Sequence, residues 1–150
     1  MDYAYFMAEA YKLAEMAFGE GEAPIGCVIV YNGEIVGRGR NMRNLKKNPL
    51  YHAELTAINE ASGFFGDWRL EGASLFVTVE PCPMCAGAII QARINELVFG
   101  AENRKAGCAG SVTDLFGEIK FNHRVTVKKG VMADECAELM SRFFARLRSV

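Results

Sequence analysis

The chain has 150 residues, the size of one ordinary domain, and its 51% apolar and 23% charged composition is that of a globular chain and excludes disorder. No apolar run approaches the roughly 18–20 residues that span a bilayer, and the start Met1-Asp2-Tyr3-Ala4 lacks a basic leader segment, so the expected compartment is cytoplasmic, with no membrane partner. A formal net charge of −1 means that a polyanion would have to be met by a local basic patch.

Residues 2–18 place Tyr3, Phe6, Met7, Ala10, Leu13, Ala14 and Ala17 at helical spacing, and Gly19 and Gly21 stop that helix. Ile25–Tyr31 reads as a buried strand, Asn32-Gly33 as a tight turn and Glu34–Gly39 as the hairpin partner. A polar loop, Arg40 to Tyr51, precedes a helix from His52 to Ser62. Leu75–Val79 predicts a strand, Cys82–Ala92 a helix and Glu96–Phe99 a strand. A glycine-rich loop from Gly100 to Gly110 leads to a short helix at Ser111–Phe116. Val125–Lys129 is the last strand, and Asp134 is placed to cap a final helix carrying Cys136, Leu139, Met140, Phe143, Phe144 and Leu147. Helix-linked strands favour parallel neighbours. The expected fold is therefore α/β: one domain, residues 1–150, with a mixed five-stranded sheet between two helical layers. Its site belongs at the carboxyl ends of strands and the amino ends of helices.

Two motifs fall at that edge. Cys82-Pro83-Met84-Cys85 opens a helix after a buried strand, and the i, i+3 spacing puts both sulfurs on one side of the first turn, where the helix dipole favours thiolates. Alone it also reads as a redox pair, half of a zinc knuckle or two core cysteines. His52-Ala53-Glu54, 30 residues upstream at a second helix start, narrows the choice. One His and two Cys give three ligands, and the open fourth position is the mark of catalytic zinc, one ion per chain. Glu54, beside a ligand, is the candidate to move the proton of activated water. A structural site closed by Cys108 is the alternative; Cys27 and Cys136 read as core.

His-x-Glu with Pro-Cys-x-x-Cys resembles the zinc-dependent nucleobase deaminases of the cytidine deaminase-like superfamily. Within it the chain resembles the bacterial tRNA adenosine deaminases nearly end to end: Pro24-Ile25-Gly26, Gly39-Arg40-Asn41, His52-Ala53-Glu54, Asp67-Trp68-Arg69-Leu70, Val77 through Cys82, Cys85 through Ile89, Gly110-Ser111, Asn122-His123-Arg124, Asp134-Glu135-Cys136 and Phe143-Phe144. The resemblance implies a three-layer α/β/α sandwich and hydrolysis of wobble adenosine to inosine in the tRNA anticodon loop by a homodimer. In it His52, Cys82 and Cys85 hold zinc and Glu54 carries the proton. Asn41 contacts the flipped nucleotide, and the backbone at Ala53 meets the base edge. Asn122 and His123 lie near the anticodon-loop backbone, and Phe144 packs by the RNA. Asn103 stands where the family carries an Asp beside the ribose of a flanking nucleotide, and Leu50-Tyr51 replaces the family's Thr-Ala. Pro83 is shared with guanine and cytosine deaminases. Deamination of free guanine or cytosine bases or nucleosides, and a non-catalytic zinc-containing RNA-binding module, are the competing readings. The run Arg38, Arg40, Arg43, Lys46 and Lys47, with Arg142, Arg146 and Arg148 at the C-terminus, offers the local basic surface that an RNA partner requires.

Overall fold

The computed structural model describes residues 1–117 and 121–149. Among them α1 (Tyr3–Gly19) starts at Asp2, whose carboxylate accepts the Tyr5 N–H. The hairpin β1 (Gly26–Tyr31) and β2 (Glu34–Arg40) follows. Asn32 and Gly33 both take positive φ at its tip, as the two-residue turn requires. Then come α2 (Arg43–Lys46), α3 (Ala53–Phe65), β3 (Ser74–Val79), α4 (Pro83–Gln91), β4 (Glu96–Ala101), β5 (Thr126–Lys129) and α5 (Ala133–Arg148).

The five strands form one sheet in the order β2-β1-β3-β4-β5. The β1 pairings with β2 and β3 are antiparallel, whereas β3, β4 and β5 run parallel. Alternate residues of the central strands face opposite layers. Cys27, Ile29, Leu75, Val77, Leu97 and Phe99 pack into the core formed with α3 and α4. Val28, Val30, Phe76 and Val98 meet Phe6, Met7 and Ala10 of α1. The mixed α/β sandwich expected from the helix–strand alternation is the fold observed.

Two glycines of β2 set how closely α3 approaches. A Cβ on Gly37 would strike the Ala57 carbonyl, and one on Gly39 would strike that of Ala53. The first turn of α3 is thereby pressed onto the sheet, which fixes the position of His52 at its amino end.

Four local expectations are corrected. The segment 40–51 is not all loop, since Arg43–Lys46 forms one helical turn. Helix α3 does not stop near Ser62; it runs through Gly63 to Phe65, whose ring packs 4.8 Å from that of Tyr31, and Gly66 ends it in the left-handed region. Tertiary packing there outweighs the cost of an interior glycine, about 1 kcal/mol. Residues Ser111–Phe116 form turns rather than a helix. Side-chain carboxylates take their amides, Asp114 those of Phe116 and Gly117 and Glu80 that of Ser111, and this competes with helical bonding. Asp134 does not cap α5. Met132 occupies that position at φ 57°, and Asp134 lies with Glu135 in the first turn, where both carboxylates suit the helix dipole. Among the described residues no helix is long and apolar enough to cross a membrane.

Candidate metal centre and active site

His52 immediately precedes α3 and Cys82 immediately precedes α4, and neither side chain caps its own helix. Pro83 takes the first helical position, where its missing N–H costs nothing. Cys85, one turn on, is fully buried. The Nδ1 atom of His52 lies 3.7 Å from Sγ of Cys82 and 3.6 Å from Sγ of Cys85. The ligand atoms of all three lie within 4.8 Å of one another, so the group could hold a metal ion. Charge follows this arrangement. The Cys82 thiol is drawn down to about 4, first by the bond it accepts from Cys85 and then by His52, against the opposing effect of burial. Cys85, as donor of that bond and as a buried thiol, is pushed well up. His52 is raised by its bond to Cys82.

Glu54 sits in the first turn of α3 with 4% of its surface exposed. Burial pushes its carboxyl up to about 7. It lines a cavity of about 100 Å³ together with His52, Ala53, Cys82, Asn41, Arg43 and Asn103. One wall of this cavity comes from the segment after β2 and the other from the segment after β4. Cys108 does not join the ligand group: it is buried, its N–H donates to the Pro81 carbonyl and its thiol to that of Ala106. Cys27 and Cys136 are core residues, as expected.

The MafB19-like deaminase family matches residues 1–148. The tRNA-specific adenosine deaminase of Bacillus subtilis (strain 168) is 48% identical over 143 residues, which cover 95% of this chain and 89% of that protein. A solved structure from a study of A-to-I editing by tRNA:A34 deaminases at the wobble position superposes with a TM-score of 0.86 at 38% identity, covering 90% of this chain and 98% of that one. The guanine deaminase of Bacillus subtilis superposes with a TM-score of 0.67 at 29% identity, covering 100% and 96%. This chain belongs to the tRNA-specific adenosine deaminase family.

The positions for which the resemblance implies substrate contacts are placed differently. Asn41, Ala53 and Asn103 line the cavity with the metal-ligand group. The side chain of Asn41 is engaged with its own loop: its amide donates to the Ala23 carbonyl and its oxygen accepts the Arg43 N–H. The oxygen of Asn103 likewise accepts the N–H groups of Lys105 and Ala106, and its amide has no acceptor among the described residues. Phe144 is 40% exposed on α5 with Lys105 Nζ 5.6 Å from its ring centre, so it belongs to the surface beside this wall, whereas Phe143 is core.

The structure does not bring Asn122 and His123 to this chain's cavity. The His123 ring donates through Nε2 to the Ile94 carbonyl, ahead of β4. The cavity residue Asn103 lies beyond the other end of that six-residue strand, a rise of about 20 Å. Part of the basic surface is also committed internally. Arg40 pairs with Glu20 at 2.7 Å, and Arg142 and Arg146 stack on Phe18. Arg43 reaches the cavity. Two buried acids escaped the sequence reading, Glu22 and Glu80, exposed by 1% and 2%. Glu22 accepts the N–H groups of Asn44 and Leu45, and Glu80 those of Asn103, Ala109 and Ser111. The one signal for Glu80 is a charged residue directly after a fully buried strand, just ahead of Pro81-Cys82.

Proposed function

We propose that this protein, as one deaminase domain, hydrolyses adenosine to inosine at the wobble position of the tRNA anticodon loop. It does so with zinc held by His52, Cys82 and Cys85 and with Glu54 as the proton carrier. The observation that carries this reading is a buried carboxylate in the same cavity as a three-ligand group but outside that group. The ligand spacing fits zinc. With Zn–S near 2.3 Å and Zn–N near 2.05 Å, a tetrahedral edge is about 3.6 Å, against 3.6 and 3.7 Å between His52 and the two sulfurs. When bound, zinc supplies the Lewis acidity that brings the pKa of water toward about 7.

The chain's own residues do the rest. Glu54 takes a proton from water as its oxygen adds to C6 of the adenine, and passes that proton to ring N1. The second water proton goes, through Glu54 again, to the exocyclic nitrogen as the C6–N bond breaks. Ammonia leaves and a C6 carbonyl remains. In this reading the first-turn N–H of Ala53, free of an intrahelical partner, meets the base edge, and Asn41 and Asn103, which line the cavity, flank the flipped nucleotide.

The tRNA substrate is supported by 48% identity to an adenosine deaminase acting on tRNA, against 29% to a guanine deaminase. A homodimer accords with the placement of Asn122 and His123 away from their own cavity, since a second copy gives them a route to RNA held by its neighbour. The test is ammonia release from a panel of an A34 anticodon stem-loop, adenosine, guanine and cytosine. Turnover of the stem-loop alone is expected. Turnover of guanine or cytosine instead would make the protein a free-base deaminase, and binding of the stem-loop without turnover would make it an RNA-binding module.

A further inference from the structure

We propose that Glu80 is a positioning residue, which fixes the wall of the pocket that carries Asn103 to the strand end that carries Cys82. It follows β3 and stands two residues before Cys82. One carboxylate oxygen accepts the Asn103 N–H at 3.1 Å and the Ser111 hydroxyl. The other accepts the N–H groups of Ala109 at 2.8 Å and Ser111 at 3.1 Å. Among the described residues no cation pairs with it. Four donors from one loop, 23 to 31 residues further along the chain, compensate a carboxylate that is 2% exposed, which burial alone would heavily penalise.

The loop is wrapped closely around this group. A Cβ on Gly107 would strike both the Glu80 carboxylate and the Asn103 carbonyl. Glu80 also lines the cavity with Asn103 and Cys82, so the clamp joins the metal-ligand end of the sheet to the wall that faces substrate. The role rests on the deaminase reading of the cavity, but the clamp itself can be measured without it.

Glu80→Gln discriminates among the possible roles. Gln has one acceptor oxygen. Turned to keep the Ala109 and Ser111 N–H groups, it presents its own NH₂ to the Asn103 N–H, donor against donor. The bond to Asn103 is therefore the one lost. With the zinc-loaded dimer or monomer as purified, Glu80→Gln is expected to raise KM for the A34 stem-loop about tenfold, the scale of one hydrogen bond to a charged acceptor, with kcat within about threefold of wild type and metal content unchanged. Amide exchange at Asn103 should accelerate in the same variant, and this readout needs no turnover. Gly107→Ala, which opens the clamp from the loop side, should give the same KM signature, and Ser111→Ala, which leaves three of the donors, a smaller one.

A fall in kcat at unchanged KM, or loss of metal, in folded Glu80→Gln would overturn the assignment. So would unchanged exchange at Asn103. Should Glu80→Gln fail to fold, Ser111→Ala decides, and unchanged KM and exchange there sink the proposal. Absence of turnover by the wild-type protein strikes the function and leaves the exchange result to judge the clamp.

Discussion

His52, Glu54, Cys82 and Cys85 cluster at the amino ends of two helices that apolar packing presses against the sheet, whereas Asn41, Arg43 and Asn103 belong to two connecting segments that buried carboxylates hold in place. The floor of the pocket owes its geometry to close contact of backbone with backbone, as where Gly39 meets Ala53. The walls owe theirs to Glu22 and Glu80, which reach amides distant in sequence, those of α2 for Glu22 and those of the segment after β4 for Glu80. Apolar packing is dense and yields little. A hydrogen-bonded loop gives way when one acceptor goes. Damage to the floor should therefore abolish chemistry, and damage to the walls should leave chemistry and shift the handling of substrate.

The largest effect tests the floor. Purified protein is expected to hold about one zinc per chain, and Cys82→Ala or Cys85→Ala to lose it together with all turnover, because two remaining ligands bind weakly. Cys108→Ala should keep both metal and activity, since its thiol is bonded to the Ala106 carbonyl and stands outside the ligand group. Metal analysis of the three variants checks this, and loss of zinc from Cys108→Ala would redraw the floor as a closed four-ligand site. Next in size is Glu54→Gln. It preserves shape but cannot carry a proton, so turnover should fall by at least about 10²-fold with metal and RNA affinity retained. If zinc left with the Glu54 carboxylate, this residue would be a ligand rather than the proton carrier.

The floor was legible in the sequence because its chemistry is local. His-x-Glu and Cys-x-x-Cys are short patterns, each at a helix start marked by its neighbours, and the alternation of strands with helices put both at one edge. The walls were not legible. Glu22 and Glu80 bind backbone N–H groups, which every residue but proline carries, so no residue type 22 to 31 positions away announces the partner. The same blindness produced the mistaken helix at Ser111–Phe116, whose apolar spacing gives no sign that Glu80 and Asp114 will take its amides. Resemblance alone could not say that Asn122 and His123 lie at the opposite end of β4 from Asn103, because a matched position carries no address in space.

A wall variant sharpens the contrast. In Glu22→Gln one of the two N–H groups, Asn44 or Leu45, loses its acceptor. The cost is one buried hydrogen bond to a charged group, about 1.5–3 kcal/mol in stability. KM for the stem-loop should rise several-fold, because α2 carries Arg43 at the cavity, with kcat and zinc content held. Thermal unfolding and steady-state kinetics on the same preparation measure both. A loss of kcat matching that of Glu54→Gln would erase the distinction between floor and wall.

The smallest effect concerns a single atom of the other wall. The oxygen of Asn103 is occupied by the N–H groups of Lys105 and Ala106 at 3.3 and 3.1 Å, and an Asp here would keep both bonds through one of its oxygens. Asn103→Asp therefore changes only the remaining group, from an uncharged NH₂ donor to a carboxylate oxygen that accepts. Beside a ribose, that oxygen rewards a 2′-hydroxyl donor and finds nothing to accept from a deoxyribose. The new charge also repels a nearby phosphate in either strand, so the hydroxyl is what separates RNA from DNA. The wild-type protein is expected to discriminate an RNA stem-loop from its deoxy analogue several-fold less than Asn103→Asp does, about 1 kcal/mol, the worth of one partly solvated hydrogen bond. The measurement is kcat/KM for both strands with both proteins at one salt concentration, since phosphate contacts make either value alone depend on salt. An RNA-to-DNA ratio unchanged or lowered in Asn103→Asp would mean that this wall holds the nucleotide without reading its sugar.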